Sequence, residues 1–266
     1  MQRVVTTSRA WSSPAAILAA IALISALGIG YLQHQRLTAL KASSVAGNIA
    51  SEQRQRQQLQ LIKQLPSFGF RNLVADWVML QFIQYFGDVE ARQQTGYGLS
   101  PDYFDVILDR DPYFKDGYLF LSASSTLFAG QPQHTVAIFK RQLPRLTPTT
   151  PDRAYVIWRY KASDELLFLG EAEAAAQSFA TAATWAIVYD DPESQAIAAQ
   201  SRQTAAFLRE NPDSRAAQIS AWGIVLSNAL DDGTRQFATQ RIEQLGGRVE
   251  ADASGRFRIV APPSAQ

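Results

Sequence analysis

Residues 158–192 read WRYKASDELLFLGEAEAAAQSFATAATWAIVYDDP, and this stretch decides the fold class. A first apolar run ends at Gly170. A second pattern then places Ala175, Phe179 and Ala182 at steps of four and three, which is one face of a helix. Pro192 ends this pattern, because proline lacks the amide hydrogen and disfavours helix at the residue before it. The stretch therefore predicts two helices joined by a tight turn, a helical hairpin.

The same pattern occurs twice upstream. An aromatic residue lies two positions before each of Gly87, Gly130 and Gly170, and these glycines recur at intervals of about 40 residues, as in helical-repeat arrays. Phe139 and Phe179 lie at the same offset from their glycines. The three units close at Pro112, Pro151 and Pro192. The sequence thus predicts an all-α stack of hairpins, an α-solenoid, over residues 66–247.

The N-terminal region has a different composition. Residues 1–13 form a polar tail, and residues 14–32 are mostly apolar and about as long as a membrane-spanning helix. They predict a transmembrane anchor, followed by a helical linker over residues 33–65 with solvated charges. The alternative is a cleaved signal peptide, since Ala26 and Gly28 are small residues of the kind that precede a cleavage site. Short basic tails such as the one with Arg3 and Arg9 usually stay in the cytoplasm, which places the hairpins outside it.

In the C-terminal region the spacing of apolar residues changes from a helical to a strand pattern. Residues 248–251 and 256–260 alternate apolar and polar side chains, which predicts a small β-hairpin within residues 248–266. This hairpin is expected to cover the open end of the stack, and the last residues form a tail.

Composition excludes several classes of function. The 266 residues contain 25 Lys and Arg against 24 Asp and Glu, a net charge of +1, so no nucleic-acid footprint is expected. Cysteine is absent and histidine occurs twice, which removes thiolate chemistry and leaves little for a metal site. We therefore expect no metal, no cofactor and no enzyme activity.

The third unit resembles a tetratricopeptide repeat (TPR). Gly170, Ala175, Phe179 and Ala182 match the second half of that motif, and Ser163 fills its small position. The second unit departs from the motif with Thr135 where alanine is expected, and the first unit has Leu80 at the small position. The early tryptophan and later tyrosine of the motif are missing or displaced, and the resemblance spans residues 66–192. The resemblance implies a right-handed α-solenoid of TPR-like hairpins.

The N-terminal span, together with the segments 70–73, 85–88 and 111–114, is also similar to membrane-anchored TPR-type proteins of bacteria. The resemblance implies a scaffold or assembly factor in a bacterial inner or photosynthetic membrane, with an unidentified protein as its partner. Its fold alone does not fix that function.

In TPR stacks the first helix of each hairpin lines the concave face, so accessible residues there are the candidate contacts. They are Trp77, Gln81, Gln84 and Asp88 in the first unit, and Arg153, Arg159, Tyr160 and Asp164 in or beside the third. Aromatic and arginine side chains often dominate binding energy. The alternative is an enzyme or ligand-binding subunit with a pocket among Asp76, Tyr85, Tyr103 and Tyr118.

Overall fold

The computed structural model describes residues 18, 22–33, 45–251 and 257–260. The chain divides into two units, Met1–Gly47 and Asn48–Gln266. The described residues are mostly helical and include one two-stranded sheet.

The described part of the first unit includes helix α1, residues 22–33. No helix among the described residues is long and apolar enough to cross a membrane. This finding contradicts the predicted transmembrane anchor over residues 14–32 and the single-pass membrane location inferred from it. Most of residues 14–21 lie outside the described part of the chain.

The second unit is built from helices joined by short turns. The first hairpin contains α3 (Arg71–Gly87), the short α4 (Val89–Thr95) and α5 (Ser100–Arg110). The second contains α6 (Lys115–Leu121), the π-helical segment π1 (Ser122–Phe128) and α7 (Pro132–Gln142), which a 3₁₀ turn (Leu143–Arg145) follows. The third contains α8 (Tyr155–Asp164), the π-helical segment π2 (Glu165–Leu169) and α9 (Ala172–Ala186).

Three further helices follow in the described part of this unit: α10 (Pro192–Glu210), α11 (Arg215–Asn228) and α12 (Asp232–Gln244). Strands β1 (Arg248–Ala251) and β2 (Phe257–Val260) pair antiparallel, with Arg248 opposite Val260. This pairing is the C-terminal hairpin that the alternating sequence predicts.

The third hairpin has the predicted form. Gly170 adopts a left-handed conformation (φ +71°) between π2 and α9. Phe179 is buried as expected, with 9% of its surface exposed, in a cluster with Ala162, Ala175 and Leu208. Phe179 therefore links the first helix of this hairpin to α10.

The first hairpin differs from the prediction at its turn. Gly87 is the last residue of α3 and not the turn glycine. The left-handed glycine is Gly96 (φ +68°), because α4 is inserted between the two long helices. Gly96 therefore corresponds in backbone conformation to Gly130 (φ +63°) and Gly170.

Helix α2 (Val45–Gln64) lies within the predicted linker, and from Asn48 onward it packs against the first hairpin. Leu59 is buried in the same core cluster as α3 and α5. The Arg110 guanidinium donates hydrogen bonds to the carbonyl oxygens of Ile62, Lys63 and Leu65, at the C-terminal end of α2. A cation there is favourable because a helix presents unpaired carbonyls at that end. This part of the predicted helical linker is therefore packed on the first hairpin.

The C-terminal helices lie across the turns of the three hairpins. A Cβ atom placed on Gly170 would lie 2.8 Å from Gln218 Nε2, and one on Gly130 would lie 3.7 Å from Val225 Cγ1. A Cβ on Gly96 would clash with the carboxylate of Asp231. From residue 218 to residue 231 a helical chain advances about 20 Å, which is two helix-to-helix spacings of about 10 Å. We call residues 218–231 the crossing segment.

Candidate partner-binding face

The first helices of the three hairpins carry an aromatic residue at corresponding positions. Trp77, Phe120 and Tyr160 each lie ten residues before the glycines at 87, 130 and 170. We call these three residues the aromatic row. Trp77 is 46% exposed and Phe120 is 44% exposed, while Tyr160 is half-buried. Solvent therefore reaches large apolar surface at each of these positions.

Contacts between the hairpins support this correspondence. The rings of Phe86 and Phe128 lie 5.1 Å apart, centroid to centroid, which brings the ends of the first two helices level. Burial raises the pKa of the Tyr160 hydroxyl, and the nearby Asp116 carboxylate raises it further. Helices α6 and α8 are in contact. The row therefore continues from one hairpin to the next.

Helix α3 is buried on one side only. Ala75, Val78 and Phe82 face the core, but Leu73 and Leu80 are each at least 60% exposed. The physical reason is that α3 begins the stack, so its neighbours cover only one side. Its uncovered side carries Leu73, Trp77 and Leu80, large exposed apolar side chains of the kind that marks interaction sites.

The other ends of the first helices are covered by the protein itself. The Phe168 ring of π2 packs against Trp222 of α11, with ring centroids 5.6 Å apart and nearly perpendicular. Leu127 of π1 and Leu167 of π2 pack in the same cluster. The C-terminal helices thus cover the ends of the first helices that lie nearest the hairpin turns. The aromatic row lies outside this covered part.

The structure brings some of the predicted contact residues to this face. Gln84 is exposed and Gln81 is half-buried, both on α3 with Trp77. Asp88 is exposed, and its carboxylate accepts a hydrogen bond from the Ala91 amide (3.1 Å), which caps the N-terminus of α4. Arg159 lies beside Tyr160 and donates to the Gln200 side chain (3.1 Å).

Arg153 and Asp164 are used inside the protein instead. The Arg153 guanidinium contacts Asp191 (3.4 Å) and Glu193 (3.1 Å), which ties the loop before α8 to the start of α10. Asp164 is 1% exposed and accepts a hydrogen bond from Ser122 Oγ (3.1 Å). Burial raises the pKa of the Asp164 carboxyl to about 7. A partner on the outer surface does not reach Asp164.

A second buried polar group stands beside Asp164. The Lys161 ammonium and Ser178 hydroxyl both bond to the Glu165 carboxylate, and the ammonium also donates to Ser178 Oγ (2.7 Å). All three side chains are buried. Each charge has a counterpart, as buried charges require, so this group joins α8 to α9.

The residues of the alternative pocket divide between the core and the surface. Tyr85, Tyr103 and Tyr118 are core residues, and the Tyr118 hydroxyl donates to the Pro112 carbonyl (2.8 Å). Asp76 lies on the exposed side of α3. A cavity of about 370 Å³ opens elsewhere, between the turns of the first two hairpins and the start of α12, with His134 and Thr234 in its wall. Among the described residues, no three His, Cys, Asp or Glu side chains are grouped to hold a metal ion.

Sequence reasoning missed Phe120, Leu73 and Leu80 as accessible residues. The offset from the hairpin glycines would have identified Phe120, since it equals the offset that links Trp77 and Tyr160. No sequence signal distinguishes Leu73 and Leu80 from core residues.

The chain matches no protein-family model, no curated protein and no solved structure.

Proposed function

We propose that this chain is a TPR-like interaction module, a scaffold or assembly factor that binds a segment of a partner protein across the aromatic row. The observation that carries the proposal is the accessible aromatic at the same offset in three successive first helices. Exposed apolar side chains that lie together mark interaction sites, because each exposed apolar square ångström costs about 25 cal/mol relative to burial. Aromatic side chains are also those that most often dominate interface energies.

The rest of the fold supports a binding role. The first helices pack on the core of the second unit, and the crossing segment packs on the turns that follow them. The aromatic row therefore lies on rigid elements. A face of this kind needs little rearrangement to bind, which lowers the entropic cost of association. Gln81 and Gln84 offer hydrogen bonds at the border of the apolar surface.

The test is site-specific photo-crosslinking in the native host. A benzoylphenylalanine residue replaces Trp77 in one strain, and in a control strain it replaces Phe207, an exposed aromatic on α10. We expect a defined adduct from position 77 that is absent from position 207. Phe120→Gln in the first strain should reduce the adduct by at least about tenfold, as loss of an interface anchor does. The same adducts from both positions would refute the proposed face.

A further inference from the structure

The exposed apolar surface on the first two hairpins is bordered by carboxylates. Asp76 on α3 and Asp116 on α6 are both exposed. Neither forms an ion pair with another residue in the described part of the chain. Asp76 is adjacent in sequence to Trp77, and Asp116 lies one helical turn before Phe120.

The basic residues of the same two helices are engaged elsewhere. The Arg71 guanidinium donates to the carbonyl oxygens of Asp109 (2.6 Å) and Arg110 (3.3 Å), at the end of α5. The Lys115 ammonium donates to the carbonyl of Asp152 (3.1 Å). Both cations are therefore held at backbone carbonyls, while the two carboxylates are free to meet charges from outside.

The apolar part of the surface has the shape of a helix-binding site. Leu73, Trp77 and Leu80 follow each other at steps of four and three along α3, which forms one ridge. On α6, the first helix of the next hairpin, Leu119 and Phe120 are each 44% exposed and add apolar surface. A ridge with this spacing packs against another helix at an axis distance of about 8–10 Å.

We propose that the partner segment is a basic amphipathic helix. Its apolar side chains pack on Trp77, Leu80 and Phe120, and Lys or Arg side chains on its flank pair with Asp76 and Asp116. This inference rests on the proposed function and specifies the chemistry of the partner. A second copy of this chain is a poorer occupant, because antiparallel pairing about Trp77 would bring two Asp76 carboxylates to the same level of the interface. Like charges in such a position are unfavourable.

The test uses two designed, fluorescein-labelled peptides of about 18 residues, or five helical turns. Both carry leucine along one face; one carries lysine on its flanks and the other glutamate. Fluorescence anisotropy gives their affinities for the full-length chain. We expect the lysine peptide to bind at least about tenfold more tightly, and the ratio to shrink between about 50 mM and about 500 mM salt, since salt screens exposed charges.

Variants assign that preference to named residues. The double variant Asp76→Asn/Asp116→Asn should bring the ratio close to one. The matched control Asp190→Asn/Glu210→Gln removes the same charge from exposed positions elsewhere and should keep the ratio. Trp77→Ala should weaken both peptides.

The outcomes separate this inference from the proposed function. Equal affinity of the two peptides, with both lost in Trp77→Ala, would overturn the basic-helix inference and leave the face in place. Binding that Trp77→Ala does not change would overturn both, and so would dimerisation, measured by sedimentation equilibrium, that Trp77→Ala abolishes. Absence of binding by either peptide would overturn the inference.

Discussion

Replacing Asp164 with asparagine should remove a pH dependence from the stability of the fold. Asp164 is 1% exposed, and burial raises its pKa from 3.8 to about 7. Below pH 3.8 the carboxyl is protonated in both the folded and the unfolded state. Between pH 3.8 and about 7 only the unfolded state ionises, so the free energy of unfolding falls as pH rises. Asparagine keeps the shape and the oxygen that accepts from Ser122, but it does not titrate.

The magnitude follows from the size of the shift. Each unit of pKa corresponds to about 1.4 kcal/mol, so between pH 5 and pH 8 the parent should lose about 3 kcal/mol relative to Asp164→Asn. Urea unfolding at these two pH values measures the difference, and the contributions of all other titrating groups cancel in the comparison. Asp116→Asn, at an exposed position, is the control and should follow the parent. If the difference in unfolding free energy between parent and variant stayed constant within about 0.5 kcal/mol, the idea that Asp164 is protonated in the folded state at neutral pH would be refuted.

Two further predictions concern packing and the turns. Phe179→Ala should lower the free energy of unfolding by roughly 3–5 kcal/mol, as large-to-small core substitutions do, and an unchanged thermal melt would contradict the packing of α9 on α10. Gly96→Ala should cost about 2–4 kcal/mol, because it adds about 1–2 kcal/mol of left-handed backbone strain and displaces the Asp231 cap of α12. Gly130→Ala has the same strain without the clash and should cost about 1–2 kcal/mol. Urea unfolding measures both variants. Equal losses of unfolding free energy would mean that the Asp231 side chain moves away from Ala at position 96 without cost.

The third hairpin could be predicted because its signals are local. The apolar steps at Ala175, Phe179 and Ala182 need only helix geometry, and Gly170 needs only a left-handed turn. The same holds for the alternating residues of the C-terminal hairpin. These elements follow from the order of neighbouring residues, so a single sequence suffices.

Features that depend on distant residues could not be predicted. The apolar pattern of α3 shows which side chains are hydrophobic but not how many helices pack around them. From the sequence alone, Trp77 and Leu80 fit a core position as well as an exposed one. Asp164 falls on the expected concave face, yet α11, some fifty residues later, helps to cover the ends of the first helices. The apolar run at 14–32 matched a membrane span in composition, whereas no helix among the described residues is long and apolar enough to cross a membrane.

The crossing segment has a consequence for the time course of synthesis. In an open helical array each hairpin contacts only its neighbours and can complete its packing as soon as the next one is made. Here the turn at Gly96 meets Asp231, which is 135 positions later in the chain. At about 5–20 residues per second, a ribosome needs roughly 7–27 s to add those residues. During that interval the turns of the first hairpins lack their cover, and the nascent chain presents there the apolar side chains of π1 that α11 later buries.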